Sequence, residues 1–270
     1  MAARIRAEGP LTFDQWVEAC LYDPQEGFYS SGGSAGRRGD FITSPEVGPL
    51  FGTVLANWID KVWTNLGSPK DFVVLETGAG PGTLARSILK AKPKSLINGR
   101  YITIERSEIQ RKLHPAEAES LSSFPEESIT GVVIANELLD NLPFRLCLGD
   151  GEKWREILIT EGFKETTGNE VELPVSLPPI EGAKIPIQTK ANDWVQDALD
   201  IVDQGAVLVF DYCSTTSQMA NEPQSEWLRT YRGHEKGTNP IADPGSQDIT
   251  VNVALINFLV NSQLLLKQNF

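Results

Sequence analysis

The sequence predicts an α/β fold with a mostly parallel sheet and helices on both of its faces. Short apolar strands alternate with helical patterns from residue 72 onward, and such alternation indicates parallel strands joined by helices. These strands are apolar along their whole length, which is typical of strands covered on both faces. A turn with three glycines joins the first of these strands to the helix that follows it.

The composition narrows the range of partners. The 270 residues are 40% hydrophobic and 22% charged, with a net charge of −12. The chain can therefore bury a full core, but it has no broad basic surface for phosphates, and we expect no nucleic-acid partner. Its three cysteines lie far apart, which fits neither a disulfide framework nor a metal-binding knuckle, so we expect no metal site.

The N-terminal residues lack the pattern of a targeting segment. They contain Glu8, Asp14 and Glu18 and no apolar stretch typical of a signal peptide. No apolar run approaches the roughly 18 residues that a membrane helix needs. We therefore expect a cytoplasmic protein without membrane insertion, mitochondrial only if its source is eukaryotic.

Residues 1–66 are predicted to form an N-terminal helical and lid segment that packs on the core. A helix begins after Thr12 and ends before Pro24, because apolar residues recur there at helical spacing. The Gly- and Ser-rich stretch that follows is expected to be a mobile loop. A long helix then runs to Gly67, with an apolar stripe expected to face the core: Val47, Leu50, Phe51, Val54, Leu55, Trp58, Ile59 and Val62.

Residues 67–270 are predicted to form the core domain. Strands are expected at FVVLE, YITIE and GVVIANE, with helices at LARSILKAK and EIQRKLH and a later strand at AVLVFDY. The stretch from about 145 to 186 interrupts this alternation, lacks a helical period and carries the turn GDGEK. A β-rich insertion is therefore expected there.

The glycine turn restricts which ligand the end of the first strand can bind. Open α/β sheets bind ligands at the carboxyl ends of their strands. Gly82 is followed by Thr83, not by the Lys-Ser or Lys-Thr of a phosphate-binding loop. The glycines at 78, 80 and 82 also depart from the G-x-G-x-x-G spacing of dinucleotide-binding turns. An alternative is that they serve only to permit a tight turn.

The pattern Glu76-x-Gly78-x-Gly80-x-Gly82 resembles the first motif of class I S-adenosylmethionine-dependent methyltransferases. The resemblance implies S-adenosylmethionine as the cofactor, with Gly78 and Gly80 beneath its methionine and ribose and Glu76 near its amino-acid end. The second strand ends in Glu105, whose carboxylate is suited to accept both ribose hydroxyls. Further expected cofactor contacts are Gly82 and, in the loop before the long helix, Asp40 and Thr43.

Six ordered blocks between residues 21 and 250 resemble the MidA family of class I methyltransferases: LYDPQEGFYS, GDFITSPEVGPLFG, VLETGAGPGTLA, ANELLDNLP, VFDYC and LRTYRGHEKGTNPIADPGSQDIT. The resemblance implies a Rossmann-like class I methyltransferase fold with the β-rich insertion after the fourth strand. For the mitochondrial member of this family, which acts in complex I assembly, it implies dimethylation of an arginine in a respiratory-complex subunit. We therefore expect a protein substrate, with a respiratory-complex subunit as the candidate.

Three polar residues at the end of the strand GVVIA are the catalytic candidates: Asn136, Glu137 and Asp140. They lie at the ligand edge of the predicted sheet. Methyl transfer to arginine needs groups that orient the guanidinium and accept its proton, and carboxylates can do both. For Asn136 and Asp140, capping of the following turn is an alternative role.

These observations together predict a protein arginine methyltransferase. Three alternatives are a non-catalytic S-adenosylmethionine-binding assembly factor, a small-molecule methyltransferase and a nicotinamide-dependent oxidoreductase. The presence of Glu137 and Asp140 argues against the first, and the glycine spacing argues against the last. The sequence leaves the oligomeric state open.

Overall fold

The computed structural model describes residues 1–30, 49–174, 176–233 and 235–255. Its contacts divide the chain into two compact units. Among the described residues, the insertion unit comprises 1–30, 139–193 and 211–255, and the sheet unit comprises 49–138 and 194–210. The segments of the two units alternate along the chain. The predicted division of the chain at residue 66 stays a prediction.

The helices and strands are numbered along the chain. The helices are α1 (Ala2–Glu8), α2 (Phe13–Tyr22), α3 (Pro49–Asn65), α4 (Thr83–Ala91), α5 (Glu108–Arg111), α6 (Thr189–Ile201), α7 (Thr216–Asn221) and α8 (Gln224–Trp227). The strands are β1 (Leu11–Thr12), β2 (Val73–Thr77), β3 (Arg100–Ile104), β4 (Glu119–Leu121), β5 (Ile129–Asn136), β6 (Arg145–Gly149), β7 (Trp154–Ile159), β8 (Glu165–Glu170), β9 (Lys184–Ile187), β10 (Val202–Phe210), β11 (Cys213–Ser214), β12 (Leu228–Arg232), β13 (Glu235–Gly237), β14 (Asp248–Val251) and β15 (Val253–Ala254).

The sheet unit is built on a five-stranded parallel sheet. Its strand order is β10-β5-β2-β3-β4, and every residue of β2 is buried. Strands FVVLE, YITIE, GVVIANE and AVLVFDY are therefore confirmed as neighbours in one parallel sheet. Helices α3 and α4 pack with these strands through one apolar cluster: Leu55, Ala56, Ile59, Phe72, Val74, Leu84, Ala85, Ile88, Tyr101, Val132 and Ile134.

The sheet unit differs from the prediction in several elements. Helix α5 ends at Arg111, before the predicted end at His114, and α6 was not predicted. Strand β4 is an additional edge strand of three residues, which the sequence does not reveal because two of its residues are polar. In α3, Leu50 and Val54 are 74% and 55% exposed, although the whole apolar stripe was expected to face the core. The buried face runs through Leu55 and Ile59, and Val54 lies about 100° around the helix from Leu55.

The insertion unit contains an antiparallel sheet made from the residues that interrupt the parallel strands. Strand β6 pairs with β7 and β9, and β7 also pairs with β8 and β1. Because β5 is the fourth parallel strand along the chain, the β-rich insertion after the fourth strand is confirmed. The apolar cluster of this sheet consists of Cys147, Trp154, Ile185, Ile187 and Ala220.

The helices begin and end close to the predicted limits. Helix α2 follows Thr12, whose side chain forms a capping box with Gln15, and ends at Tyr22 before Pro24. Helix α3 ends at Asn65, shortly before Gly67. Across the part of the chain that the structure describes, no helix is both long and apolar enough to cross a bilayer.

Candidate functional site

The turn between β2 and α4 is built from glycines in a left-handed conformation. The backbone φ is 63° at Gly78, 53° at Gly80 and 78° at Gly82, a region that glycine adopts at low cost and other residues do not. The N–H of Gly82 donates to the carbonyl of Ala79 at 2.8 Å, and the N–H of Ala79 donates to the carbonyl of Ile104 at 3.1 Å. The turn is thus closed on itself and attached to the end of β3.

The three glycines differ in the room around them. A Cβ at Gly78 would lie 2.8 Å from Cδ1 of Leu138, and a Cβ at Gly82 would lie 3.0 Å from Cδ of Pro115. At Gly80 the nearest atom would be the side-chain amide oxygen of Gln110, at 3.2 Å. A Cβ at any of the three positions would therefore press on a neighbouring side chain, and Gly80 has only one such neighbour within 4 Å among the described residues, Gln110.

Glu105 fastens the turn to the end of β3. Its Oε2 accepts from the backbone N–H of Gly80 at 3.0 Å, and its Oε1 accepts from the backbone N–H of Ser107 at 2.8 Å. An ionised carboxylate has roughly four acceptor positions, so these two bonds leave capacity for further donors. The adjacent hydroxyls of a ribose fit that remaining capacity.

Glu76 lies in β2 and is buried. It is 3% exposed, and its Oε2 accepts from the hydroxyl of Tyr101 at 2.6 Å. Burial raises the pKa of Glu76 to about 7, and the hydrogen bond from Tyr101 partly opposes that rise. The predicted contact of Glu76 with the amino-acid end of a cofactor stays a prediction, and the partner that the structure shows is Tyr101.

Two contacts of the turn were missed by the sequence interpretation, which placed His114 on the surface. Nε2 of His114 lies 2.8 Å from the carbonyl oxygen of Gly80, and Nη1 of Arg86 donates to the carbonyl of Pro81 at 2.8 Å. Burial lowers the pKa of His114. A histidine before a proline gives no sequence signal for this contact, because Gly80 lies 34 residues earlier in the chain.

Asn136 and Glu137 lie at the carboxyl end of β5. Glu137 has a φ of 51°, which is uncommon for a residue with a side chain, and its N–H donates to the carbonyl of Phe210 at 2.8 Å. Oδ1 of Asn136 is buried and has no hydrogen-bond partner among the described residues. Strained backbone and unpaired buried polar atoms concentrate at functional sites. The catalytic roles of both residues stay predictions.

Asp140 belongs to the insertion unit and lies in the short 3-10 turn Leu139–Asn141. Its side chain is buried, with 4% exposure. The N–H groups of Leu139 and Asp140 donate to Oδ2 of Asp211 at 2.9 and 3.3 Å. Asp211, which the sequence interpretation did not single out, is therefore a residue that caps this turn.

A second cluster of polar side chains in the insertion unit is centred on Asp248, which is fully buried. Oδ1 of Asp248 accepts from the hydroxyl of Tyr29 at 2.8 Å and from Nδ2 of Asn141 at 3.0 Å. Burial, and after it the charge of Asp248, raises the pKa of Tyr29 well above its usual value. The first and last MidA-like blocks thus meet through Tyr29 and Asp248, a contact that their distance in the sequence does not reveal.

Two predicted cofactor contacts, Asp40 and Thr43, lie outside the described residues, as does the predicted mobile loop. Within the described ranges, no group of three or more His, Cys, Asp or Glu side chains is arranged to hold a metal ion.

A comparison with protein families identifies the group to which the chain belongs. Residues 54–260 match a family model described as "Putative S-adenosyl-L-methionine-dependent methyltransferase". The match covers more than half of the chain and includes the glycine turn, Glu105 and β5. The chain belongs to this methyltransferase family. The prediction of S-adenosylmethionine as the cofactor is thereby confirmed, and the carboxylate of Glu105 has acceptor positions that suit its ribose hydroxyls.

Curated relatives of this methyltransferase are named protein arginine methyltransferases. The chain is 28% identical to "Protein arginine methyltransferase NDUFAF7 homolog, mitochondrial" of Drosophila melanogaster, over 94% of this chain and 67% of the relative. It is 25% identical to the human "Protein arginine methyltransferase NDUFAF7, mitochondrial", over 93% of this chain and 65% of the relative. The methyltransferase therefore spans about two thirds of the length of these relatives.

A solved structure agrees with the fold of this methyltransferase. A protein of Burkholderia thailandensis, crystallised with S-adenosylhomocysteine, is 27% identical and superimposes with a TM-score of 0.79, covering 94% of this chain and 72% of that chain. The class I methyltransferase fold is therefore confirmed.

The expected cytoplasmic localisation of the methyltransferase is wrong. The relatives from Drosophila melanogaster, Xenopus laevis and human are all named mitochondrial. The expectation rested on the absence of a targeting pattern, and such an absence does not specify a compartment.

Proposed function

We propose that this methyltransferase transfers a methyl group from S-adenosylmethionine to an arginine of a protein partner. The observation that carries the proposal is the carboxylate of Glu105, which binds the N–H groups of Gly80 and Ser107 at the carboxyl edge of the parallel sheet. This arrangement fixes a glycine turn beside an acceptor for hydroxyl groups, at the edge where open α/β sheets bind their ligands.

Two features support arginine as the acceptor. The relatives are named protein arginine methyltransferases. In addition, two residues with carboxylates follow β5 in the sequence: Glu137 directly after the strand, and Asp140 three residues later. A guanidinium presents five N–H donors and no acceptor, so carboxylates are the groups that orient it.

The proposed role of Glu137 is to hold the acceptor guanidinium and to take up its proton. The cofactor, when bound, supplies an electrophilic methyl group on a sulfonium. When a guanidinium nitrogen takes this methyl group, the methyl–sulfur bond breaks and a neutral thioether leaves. The nitrogen must then release one proton, so that the methylated guanidinium keeps a single positive charge. A carboxylate within hydrogen-bonding distance accepts that proton. Asn136, whose Oδ1 has no partner among the described residues, is proposed to accept a further guanidinium N–H.

The proposed partner is a protein, with a subunit of a respiratory complex as the first candidate. The resemblance to the MidA family supports this choice, because that family includes an enzyme of complex I assembly. The mitochondrial names of the relatives agree with it.

Methyl transfer from a labelled cofactor tests the proposal. The purified chain is incubated with S-adenosylmethionine that carries tritium in its methyl group and with protein extract from the source cells, and the protein fraction is hydrolysed to amino acids. We expect label in methylated arginine with the wild type, and far less with Glu137→Gln. Label confined to small molecules would contradict the protein substrate. Binding of S-adenosylhomocysteine without any labelled product would indicate a non-catalytic binding protein.

A further inference from the structure

The peptide groups on both sides of Gly80 are held by side chains. Its N–H donates to Oε2 of Glu105 at 3.0 Å, and its carbonyl oxygen lies 2.8 Å from Nε2 of His114. Glu105 was predicted as a cofactor contact, whereas the predicted role of His114 was that of a surface residue. The two side chains therefore restrain one residue of the cofactor turn from opposite ends.

The hydrogen-bond partners of His114 determine its tautomer. A carbonyl oxygen can only accept, so Nε2 carries a proton and donates it to Gly80. Burial lowers the pKa of His114, which favours the neutral ring, and in the neutral ring with a proton on Nε2 the Nδ1 atom is an acceptor. Nδ1 lies 2.8 Å from the hydroxyl oxygens of both Thr103 and Ser120. The Thr103 hydroxyl donates to the carbonyl of Glu119 at 3.2 Å, so the Ser120 hydroxyl is the donor to Nδ1. The hydrogen bond at Nδ1 thus orients the ring, and Nε2 on the opposite side donates to the carbonyl of Gly80.

Arg86 adds a second restraint on the same turn. Its Nη1 donates to the carbonyl of Pro81 at 2.8 Å and to the carbonyl of Leu113 at 2.9 Å. One guanidinium therefore links the residue after Gly80 to the residue before His114. The segment that carries His114 and the glycine turn are joined at two neighbouring points.

A turn made of glycines needs such restraints because glycine has many accessible backbone conformations. If the peptide groups around Gly80 were free to rotate, the binding-competent conformation would be a fraction of the ensemble, and cofactor affinity would fall by that fraction. Restraints that hold the turn before binding remove this cost.

We infer that His114 is a positioning residue of the cofactor turn, which acts on S-adenosylmethionine through the carbonyl group of Gly80. The inference rests on the cofactor role of the turn, and Arg86 has a supporting part in it. No contact between His114 and the reacting atoms is involved.

Two substitutions of His114 separate the effect of losing the hydrogen bond to Gly80 from the effect of losing the other contacts of the ring. In His114→Asn, the amide oxygen replaces Nδ1 but no donor reaches Gly80. In His114→Gln, the longer side chain places an N–H donor near the position of Nε2. We expect His114→Asn to weaken the binding of S-adenosylhomocysteine by about 3- to 10-fold, the range for loss of one hydrogen bond, and His114→Gln to restore most of it.

Calorimetric titration of the full chain with S-adenosylhomocysteine measures these affinities, and urea unfolding of the ligand-free protein measures stability beside them. Ile109→Gln is the control, because this side chain of the same segment is 51% exposed and has no part in the restraints on the turn, so the affinity should stay unchanged. A merely structural role would lower stability in His114→Asn without changing the affinity of the folded protein.

The outcomes distinguish this inference from the proposed function. If the wild type does not bind S-adenosylhomocysteine, the cofactor turn itself is misassigned and the inference falls with it. If the wild type binds and His114→Asn binds equally well, only the role of His114 is overturned. Should His114→Asn fail to fold, Arg86→Gln tests the second restraint, with a loss of about twofold expected from its exposed position; unchanged affinity there contradicts the inference.

Discussion

Glu76 and Glu105, near the carboxyl edge of the parallel sheet, bind different kinds of partner from the exposed, ion-paired acidic side chains on the strands of the antiparallel sheet. In the sheet unit, Glu105 accepts from two backbone N–H groups, and Glu76 accepts from the buried hydroxyl of Tyr101. In the insertion unit, Glu170 pairs with the ammonium group of Lys153, and both side chains are about half exposed, at 56% and 47%.

This difference supports the proposed cofactor role of Glu105 among the 36 acidic residues of the chain. A carboxylate bound to backbone N–H groups fixes the conformation of a turn, and a buried carboxyl group must be compensated by a specific partner. An exposed ion pair is screened by water and salt, and contributes little to the free energy of folding. The number and sign of the charges therefore do not locate the proposed site, whereas the partners of Glu105 support its assignment.

The largest effect that we expect concerns the pH dependence of stability and Glu76. Its pKa is raised from 4.5 to about 7 by burial, against the opposing effect of the Tyr101 hydroxyl. The folded state therefore holds this proton more tightly than the unfolded state. The resulting stabilisation is fully present below about pH 4.5 and is lost as pH rises through about 7.

The substitution Glu76→Gln removes this titration. Between pH 4.5 and 7, the wild type should lose on the order of 3 kcal/mol of unfolding free energy from this group, and the variant should lack that component. Urea unfolding at a series of pH values measures the difference. Glu170→Gln is the control and should keep the wild-type profile, because it leaves Glu76 in place. If the unfolding free energy depended on pH in the same way in the wild type and in Glu76→Gln, the raised pKa of Glu76 would be contradicted.

The next effect concerns turnover and Glu137. Glu137→Gln keeps the size of the side chain and loses its charge, so the variant can no longer take up the proton that the guanidinium releases. Turnover should fall by on the order of 100-fold or more, while the affinity for S-adenosylmethionine stays at the wild-type value. The labelled-methyl assay and calorimetry measure the two quantities. Full activity, or a loss of affinity in proportion to activity, would remove Glu137 from the proposed mechanism.

The affinity for the cofactor should depend on Glu105. Glu105→Ala removes the acceptor of two backbone N–H groups and the proposed acceptor of the ribose hydroxyls. We expect binding to weaken by about 1.5–3 kcal/mol, the range for hydrogen bonds to a charged group, in a protein that remains folded. Calorimetric titration with S-adenosylhomocysteine measures the change, and an unaltered affinity in the folded variant would refute the ribose assignment.

The smallest effect is expected in the insertion unit. Glu170→Ala breaks the exposed pair with Lys153, so stability should change by less than about 1 kcal/mol and cofactor affinity should not change. Urea unfolding and the same titration measure both. A loss of affinity comparable with that of Glu105→Ala would break the contrast between the two regions.

The parallel strands could be predicted because each is a continuous apolar run between turn signals, and burial on both faces requires such a run. Strand β4 could not be predicted, since its three residues are largely polar and its place depends on pairing with β3. The exposure of Leu50 and Val54 was also missed, because periodicity shows that a helix has an apolar face but not how wide the buried part is.

The positions of Gly80 and Glu105 at the carboxyl ends of two parallel strands could be predicted because their pattern is local: Gly80 lies three residues after β2 and Glu105 directly after β3. The contacts of His114, Asp211 and Asp248 could not. Each depends on a partner from a distant part of the chain, and a single sequence carries no periodic or spacing signal for such contacts.

The most direct test of the central claim is a calorimetric titration of the wild-type chain with S-adenosylhomocysteine and, separately, with NAD. The account predicts saturable binding of S-adenosylhomocysteine at one site per chain and no binding of NAD. Absence of S-adenosylhomocysteine binding in the folded protein, or binding of NAD in its place, would contradict the assignment of the glycine turn and Glu105 to S-adenosylmethionine.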